Sequence, residues 1–384
     1  MKLTQRTQAQ MDSPIGAMAH LLDQIPADKP LLDLSQGAPG FPPAPEVVAR
    51  IAEVAVDPAG ARYAPLLGLP PLREAFAADI HAAYGGDVEP YDVCITAGCN
   101  QAFCVVTSAL AEPGDEIILT LPYYFNHDMW LGLDGVKARY LDPGDAVVPS
   151  VAAAEELIND KTRAIVLVTP GNPTGQTLEP ELLQEFADMA ERRDIVLIVD
   201  ETYRSFVPGD EPPHRLFERL TWRDHVVSLH SFSKDLAIPG HRVGAIIAHP
   251  DLLREAAKLI DCISICAPRV GQEAALAGIR EATEWRAAKI EEIAAKQRVF
   301  EEVMASKPGG FELLAAGAYY GWVRHPFEAS SQDVVRRLLL EQGVLTIPGD
   351  AFGPADPGCI RFSFANADID RLGELADRLK AIAS

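Results

Sequence analysis

A chain of 384 residues, 48% of them hydrophobic, is long enough for two domains or one large domain with a satellite, and can bury a sizeable core. Asp plus Glu number 55 against 34 Lys plus Arg, and the net charge of −21 argues against nucleic acid or an anionic membrane as partner and fits a solvated acidic surface. The six cysteines form no CxxC pair and no disulfide frame, and the nine histidines form no HExxH or HxH, so neither a stapled fold nor a metal centre is expected.

The chain opens with Met1-Lys2-Leu3-Thr4-Gln5-Arg6 and a polar, Gln-rich stretch rather than an apolar leader. No run of apolar residues is long enough to span a bilayer, and a cytoplasmic location follows by default. From about Asp92 to Pro250, short apolar runs alternate with helical stretches. Val93–Thr96 reads as a strand, followed by a turn at Gly98 and a helix to about Leu110. Strands are next expected at Ile117–Leu121 and Ala138–Leu141. Ala164–Val168 and Ile195–Val199 are nearly continuous aliphatic runs separated by a helical segment, Pro180–Arg192; such runs belong to parallel strands covered on both faces. Val226–Leu229 and Val243–Ala248 complete an α/β unit with a mainly parallel sheet. Beyond Pro250 the pattern turns helical, the longest helix lying near Glu281–Ser306, until Lys307-Pro308-Gly309-Gly310 breaks it. Strands at Phe311–Leu314, Tyr319–Val323 and Ile360–Phe364 then alternate with helices near Gln332–Gln342 and from about Asp368. This reads as a smaller α+β unit against which the residues before about Glu46 pack.

Polar residues stand where the strands of the first unit end, and in open α/β sheets that edge forms the ligand crevice. Lys234 lies in Ser231-Phe232-Ser233-Lys234-Asp235-Leu236-Ala237-Ile238-Pro239-Gly240-His241-Arg242, with two hydroxyls just before it and an arginine eight residues on. An amine among phosphate ligands fits a Schiff base to a cofactor carrying both an aldehyde and a phosphate, namely pyridoxal 5′-phosphate (PLP). Asp200 ends the most apolar strand; a carboxylate there can keep a pyridinium nitrogen protonated, or serve as a helix cap or a buried ion-pair member. Asn172, in Thr169-Pro170-Gly171-Asn172-Pro173-Thr174-Gly175, and Tyr203 can each donate to a phenolic oxygen, or be a turn residue and a core tyrosine. Gly98-Cys99-Asn100 opens a helix, whose amides suit a phosphate, joined by Ser231, Ser233 and Arg242. Tyr124 can stack on a ring or pack in the core. Arg361, in an apolar strand, needs a partner: a substrate carboxylate or a structural acid.

Taken together these segments resemble the class I/II aminotransferases of the PLP-dependent fold-type I superfamily, from about Leu34 to Phe364. The resemblance also rests on Ser35-Gln36-Gly37-Ala38-Pro39-Gly40-Phe41, on Tyr63 with Gly68-Leu69-Pro70-Pro71-Leu72-Arg73, on Pro122-Tyr123-Tyr124 and on Asp200-Glu201-Thr202-Tyr203. It implies a large PLP-binding domain over 46–275 with a mainly parallel seven-stranded sheet between helices, and a small α+β domain built from 1–45 and 276–384. It implies a transaminase that moves an amino group between an L-amino acid and a 2-oxo acid by a ping-pong route. Lys234 would be its Schiff-base lysine and proton carrier, and Asp200 the partner of the pyridine nitrogen. Asn172 and Tyr203 would bond the phenolic oxygen. Gly98, Cys99, Asn100, Ser231, Ser233 and Arg242 would hold the phosphate, Tyr124 would stack on the ring, and Gly37, Asn172 and Arg361 would bind the substrate carboxylate. Tyr63 would reach the phosphate of a partner subunit, so the scheme needs a homodimer with shared active sites.

The sequence departs from the family pattern at Ala38-Pro39-Gly40, where many relatives carry an acidic residue before the Phe, and at Cys99, a place often held by a hydroxyl or glycine. A second arginine for a side-chain carboxylate is not evident; Arg269 is a candidate or a surface residue, and Tyr319-Tyr320-Gly321-Trp322 lines the pocket or packs. A PLP-dependent carbon–sulfur β-lyase, or another elimination or decarboxylation on the same fold, is the alternative, because the lysine makes the cofactor site without choosing the reaction. A ligand-sensing homologue and a Rossmann dehydrogenase find less support: no helix-turn-helix pattern precedes Leu31, and no GxGxxG follows an expected strand.

Overall fold

The computed structural model of the chain describes residues 1–17, 19–25, 29–207, 209 and 211–383. Its centre is a seven-stranded sheet of β1 (Val93–Thr96), β2 (Glu116–Thr120), β3 (Lys137–Leu141), β4 (Thr162–Val168), β5 (Val196–Asp200), β6 (Val226–Ser231) and β7 (Gly244–Ile247). The spatial order is β1-β7-β6-β5-β4-β2-β3. All neighbours pair in parallel except β7, which runs antiparallel to both β1 and β6. That reversal positions the site. β1, β4, β5 and β6 all deliver their following loops to one edge, and β7 starts from that same edge, so Arg242 enters beside Lys234.

The sheet is buried on both faces because strand residues alternate between two cores. Ile165, Leu167, Leu197 and Val199 face a layer that includes helices Pro45–Val56, Pro70–Tyr84, Pro180–Arg193 and Arg269–Glu281. Ala164, Val166 and Ile198 face the opposite layer, with helices Cys99–Leu110, Phe125–Asp134 and Pro250–Ser264. Burial on both sides explains the unbroken aliphatic runs in the sequence.

A second, antiparallel sheet has the order β10-β11-β9-β8, from β8 (Glu312–Gly317), β9 (Tyr320–Arg324), β10 (Ile347–Pro348) and β11 (Cys359–Ser363). Its core takes in helix Ser331–Gln342, the C-terminal part of helix Thr283–Ala305, and the C-terminal helix Leu375–Ala383. The short strand Leu32–Asp33 pairs in parallel with Val344–Leu345, which ties the N-terminal segment to this second unit. Helix Arg269–Glu281 runs unbroken through residues 275 and 276, and Ala282 still belongs to the large-sheet core. Among the described residues no helix is long and apolar enough to cross a membrane.

Candidate active site

A cavity of about 310 Å³ opens at the shared strand edge. It is lined by Gly37, Cys99, Asn100, Tyr124, Asn172, Asp200, Tyr203, Ser231, Ser233, Lys234, Arg242 and Arg361, which the sequence singled out, and also by Gln36, Thr202 and Tyr320. Chain positions from 36 to 361 thus converge on one concave site.

Asp200 forms its floor. Its side chain is on the same side of β5 as Ile198, toward helix Phe125–Asp134, where His127 Nε2 lies 3.3 Å from Asp200 Oδ2. The amide of Thr202 donates to Asp200 Oδ1 at 3.0 Å, and the thiol of Cys99 donates to the same oxygen at 3.7 Å. Burial alone pushes this carboxyl upward, but the hydrogen bond and charge of His127, with the bonds from Thr202, hold it below its ordinary value, so it stays ionised. His127 is itself fixed by stacking on Phe103, with ring centroids 3.9 Å apart. No local motif marked His127; the available signal was its spacing three residues after Tyr124, which puts both on one helix face.

Lys234 follows β6. Its ammonium group donates to the carbonyl of Gly37 and lies 5.6 Å from the ring centre of Tyr203. Burial, then the positive charges of Arg361 and Arg242, lowers its pKa to about 8. A lysine so placed has a substantial neutral fraction near physiological pH, and the neutral amine is the nucleophile. Gly37 approaches so closely that a Cβ there would overlap the hydroxyl of Tyr320, at 1.9 Å.

Arg361 is 2% exposed and fixed on three sides. Nη1 donates to Asn172 Oδ1 at 2.8 Å, Nη2 donates to the Ser35 carbonyl at 2.5 Å, and the rings of Tyr320 and Phe352 lie 4.7 and 5.1 Å from its central carbon. Its Nε is buried without a hydrogen-bond partner, and among the described residues no carboxylate pairs with it. Tyr203 and Tyr320 share a hydrogen bond between their hydroxyls. Of the aromatic cluster, therefore, Tyr320 lines the cavity. Tyr319 packs behind it, its hydroxyl donating to the Lys234 carbonyl at 3.4 Å, and Trp322 packs against Phe352.

The opposite end is cationic and rich in amides. Helix Cys99–Leu110 begins after Gly98, which has φ of 86°, and a Cβ at Gly98 would meet the Arg242 guanidinium at 2.3 Å. Glycine thus lets Arg242 lie against the helix N-terminus, where unpaired amides and the helix dipole favour an anion. Ser231 and Ser233 stand beside it, the Ser233 amide donating to Ser231 Oγ at 3.2 Å. Tyr124 closes this side, its hydroxyl donating to Asn100 Oδ1 at 3.4 Å.

Besides Gly98, which precedes the lining residues Cys99 and Asn100 without lining the cavity itself, two candidates fall outside it. Tyr63 is 73% exposed and does not line it. Arg269 donates to the carbonyls of Arg62 and Tyr63 at 3.2 and 3.1 Å, so it braces the Tyr63 loop. Among the described residues no group of three or more His, Cys, Asp or Glu side chains is arranged to hold a metal ion.

Residues 29–379 match the family described as aminotransferase class I and II. This chain belongs to that family. An aromatic aminotransferase of Arabidopsis thaliana, ISS1, is 31% identical over 362 residues, covering 91% of this chain and 89% of the relative. The aspartate aminotransferase of Thermotoga maritima is 30% identical over 354 residues, covering 91% and 90%. The crystal structure of the Thermotoga maritima aspartate aminotransferase superposes with a TM-score of 0.89 at 26% identity, covering 99% of both chains. The chain is thus a transaminase of fold type I, as the order of its motifs implied.

Proposed function

We propose that this transaminase works with PLP held in the 310 Å³ cavity, and that Lys234, Asp200 and Arg361 carry the reaction between an L-amino acid and a 2-oxo acid. The observation that carries the reading is the pairing of a depressed amine with a buried, ionised carboxylate in one cavity. The lining residues fit the group. Asp200, kept anionic by His127 and Thr202, suits a protonated pyridine nitrogen. The amides of Cys99 and Asn100, with Ser231, Ser233 and Arg242, suit a phosphate dianion. Asn172 and Tyr203 suit a phenolic oxygen, and Tyr124 a ring face.

When bound, PLP supplies an electron sink for the substrate α-carbon. The protein supplies the rest. Lys234, as a neutral amine, would accept the proton from the substrate α-carbon and act as the proton carrier, which its four-carbon stem and lowered pKa allow. Arg361, anchored by Asn172, Ser35 and two rings, grips the substrate carboxylate with its pre-set fork and orients the α-carbon toward Lys234. Gly37 backs that carboxylate from the chain that also meets Lys234.

Tyr63, exposed like Leu66 three residues on, fits a homodimer in which it reaches the neighbouring phosphate. The two structural units divide best before Pro45 and after Ala282, since the helices at the two ends of that span, Pro45–Val56 and Arg269–Glu281, both stay with the large sheet. Six free thiols fit a reducing, cytoplasmic compartment.

The test is the visible spectrum of the PLP-loaded protein during addition of single L-amino acids, aspartate and the aromatic ones included. The reading expects the absorption to shift with a productive donor and to return with a 2-oxo acid. Unchanged absorption with release of pyruvate and ammonia would replace transamination by elimination.

A further inference from the structure

Beside the Lys234 loop lies a largely buried run of alternating charge that the reaction does not use. Arg204 pairs with Asp79 Oδ2, and Asp79 Oδ1 accepts from Arg286 Nη1 at 3.3 Å. Arg286 Nη2 then donates to Asp235 Oδ2 at 3.1 Å, and Asp235 Oδ2 also accepts from Ser205 Oγ at 3.1 Å. The side chains of Asp79, Arg204, Asp235 and Arg286 are only 21%, 12%, 10% and 15% exposed. Two arginines and two aspartates leave the run neutral, which makes its burial tolerable.

Two features set it apart from an ordinary packing element. Asp235 is the residue after Lys234, while Arg286 stands in the first turns of helix Thr283–Ala305, which continues into the core of the second sheet. One guanidinium therefore bridges the large-sheet helix Pro70–Tyr84, the lysine loop and the helix that leads to the Arg361 unit. In addition, Asp235 Oδ1 and Arg286 Nε are buried with no hydrogen-bond partner. Unsatisfied polar atoms cost stability, and an apolar pair of similar volume would pack there at no such cost. The loop also contains Ala237 at φ 53°, a conformation unfavourable for a residue with a Cβ, so it needs external restraint.

We propose that Arg286 and Asp235 form a positioning tether that fixes the reach of Lys234 into the cavity and registers it against the unit carrying Arg361. The inference rests on the reading of Lys234 as the reacting amine. The groups facing Lys234 are Arg361, Arg242, Asp200, Cys99 and the rings of Tyr203 and Tyr319. Loosening the tether moves the amine away from the two arginines and toward water, so its affinity for a proton rises.

The experiment compares PLP-loaded wild type with Asp235→Asn, Arg286→Lys and the double variant. The readouts are the pH midpoint of the visible absorption, kcat, KM and Tm. The tether expects each single variant to move the midpoint to higher pH by about one unit and lower kcat by about tenfold at little change in KM, with the double variant no worse than either single one. Ser205→Ala, which removes only the neutral partner of Asp235, should shift the midpoint the same way by less; it decides the matter if the charged variants do not fold. A lowered Tm with unmoved midpoint and kcat would overturn the tether and leave a structural ion pair. A wild type whose absorption does not titrate at all would overturn the reading of the cavity itself, and the tether with it.

Discussion

Asp200 and Glu201 are adjacent acids at the end of β5, both nearly inaccessible, yet they face opposite layers. The strand's alternation sends Asp200 toward His127 and the cavity. It sends Glu201 toward Tyr84, His214, Ser228 and His230 in the other core. Both acids have protein partners on both oxygens: Asp200 the Thr202 amide, the Cys99 thiol and His127, Glu201 the Tyr84 hydroxyl at 2.6 Å and the Ser228 hydroxyl; but Asp200 also lines the cavity and Glu201 does not. Burial raises both carboxyls, and in each case the histidines outweigh it; Glu201 ends at about 2. A low pKa by itself therefore does not mark a catalytic acid. What separates the two is whether the charge faces an open cavity.

The largest expected effect breaks that comparison on the cavity side. Asp200→Asn should lower kcat about a thousandfold while the fold is retained, because the variant keeps shape and loses the charge that the cavity directs at its contents. Steady-state kinetics with matched circular dichroism checks it. On the other face, Glu201→Gln should cost about 3–5 kcal/mol of unfolding free energy, the usual penalty for breaking a buried charge network, with turnover per folded molecule far less affected. Urea unfolding of both variants measures the contrast, and equal activity losses would erase the distinction.

Acid titration sharpens it further. Burial drives His230 down to about 3 from 6.5, and Glu201 sits at about 2 against 4.5. Between pH 6.5 and 2 the unfolded chain binds more protons than the native one, so this contribution is complete above 6.5 and lost as pH falls through the window. Replacing His230 by Leu should flatten the upper part of that slope in urea midpoints recorded from pH 7 to 4.5.

The smallest effect concerns Lys234. Its lowered pKa means that the native state disfavours its charge, a cost present below pH 8 and relieved as pH rises toward 10.5. Lys234→Met should therefore raise the Tm of the cofactor-free protein by a few degrees at neutral pH, as scanning calorimetry would show.

Much of this site was legible because several of its residues end or follow a strand, and an apolar run that stops at Asp200 or before Ser231 fixes both edge and direction. Arg361 stood out as a guanidinium in an apolar strand. His127 did not, since nothing in Phe125–Asp134 separates it from a helix packing residue; only the crossing of that helix over β5 makes it a partner of Asp200. The reversal of β7 was equally hidden, because a buried strand reads the same in either direction. Helices Pro45–Val56 and Pro70–Tyr84 were not among the expected elements, although each opens on a proline, which is well suited to a first helical position.

The central claim is that Lys234 is the amine that engages the cofactor. Borohydride reduction of the PLP-loaded protein, followed by peptide mass mapping, tests it most directly. The account expects the added pyridoxyl mass on Lys234, and none on Lys234 once the cofactor has been converted by an amino donor. A stable adduct on another lysine, with Lys234 unmodified, would contradict it.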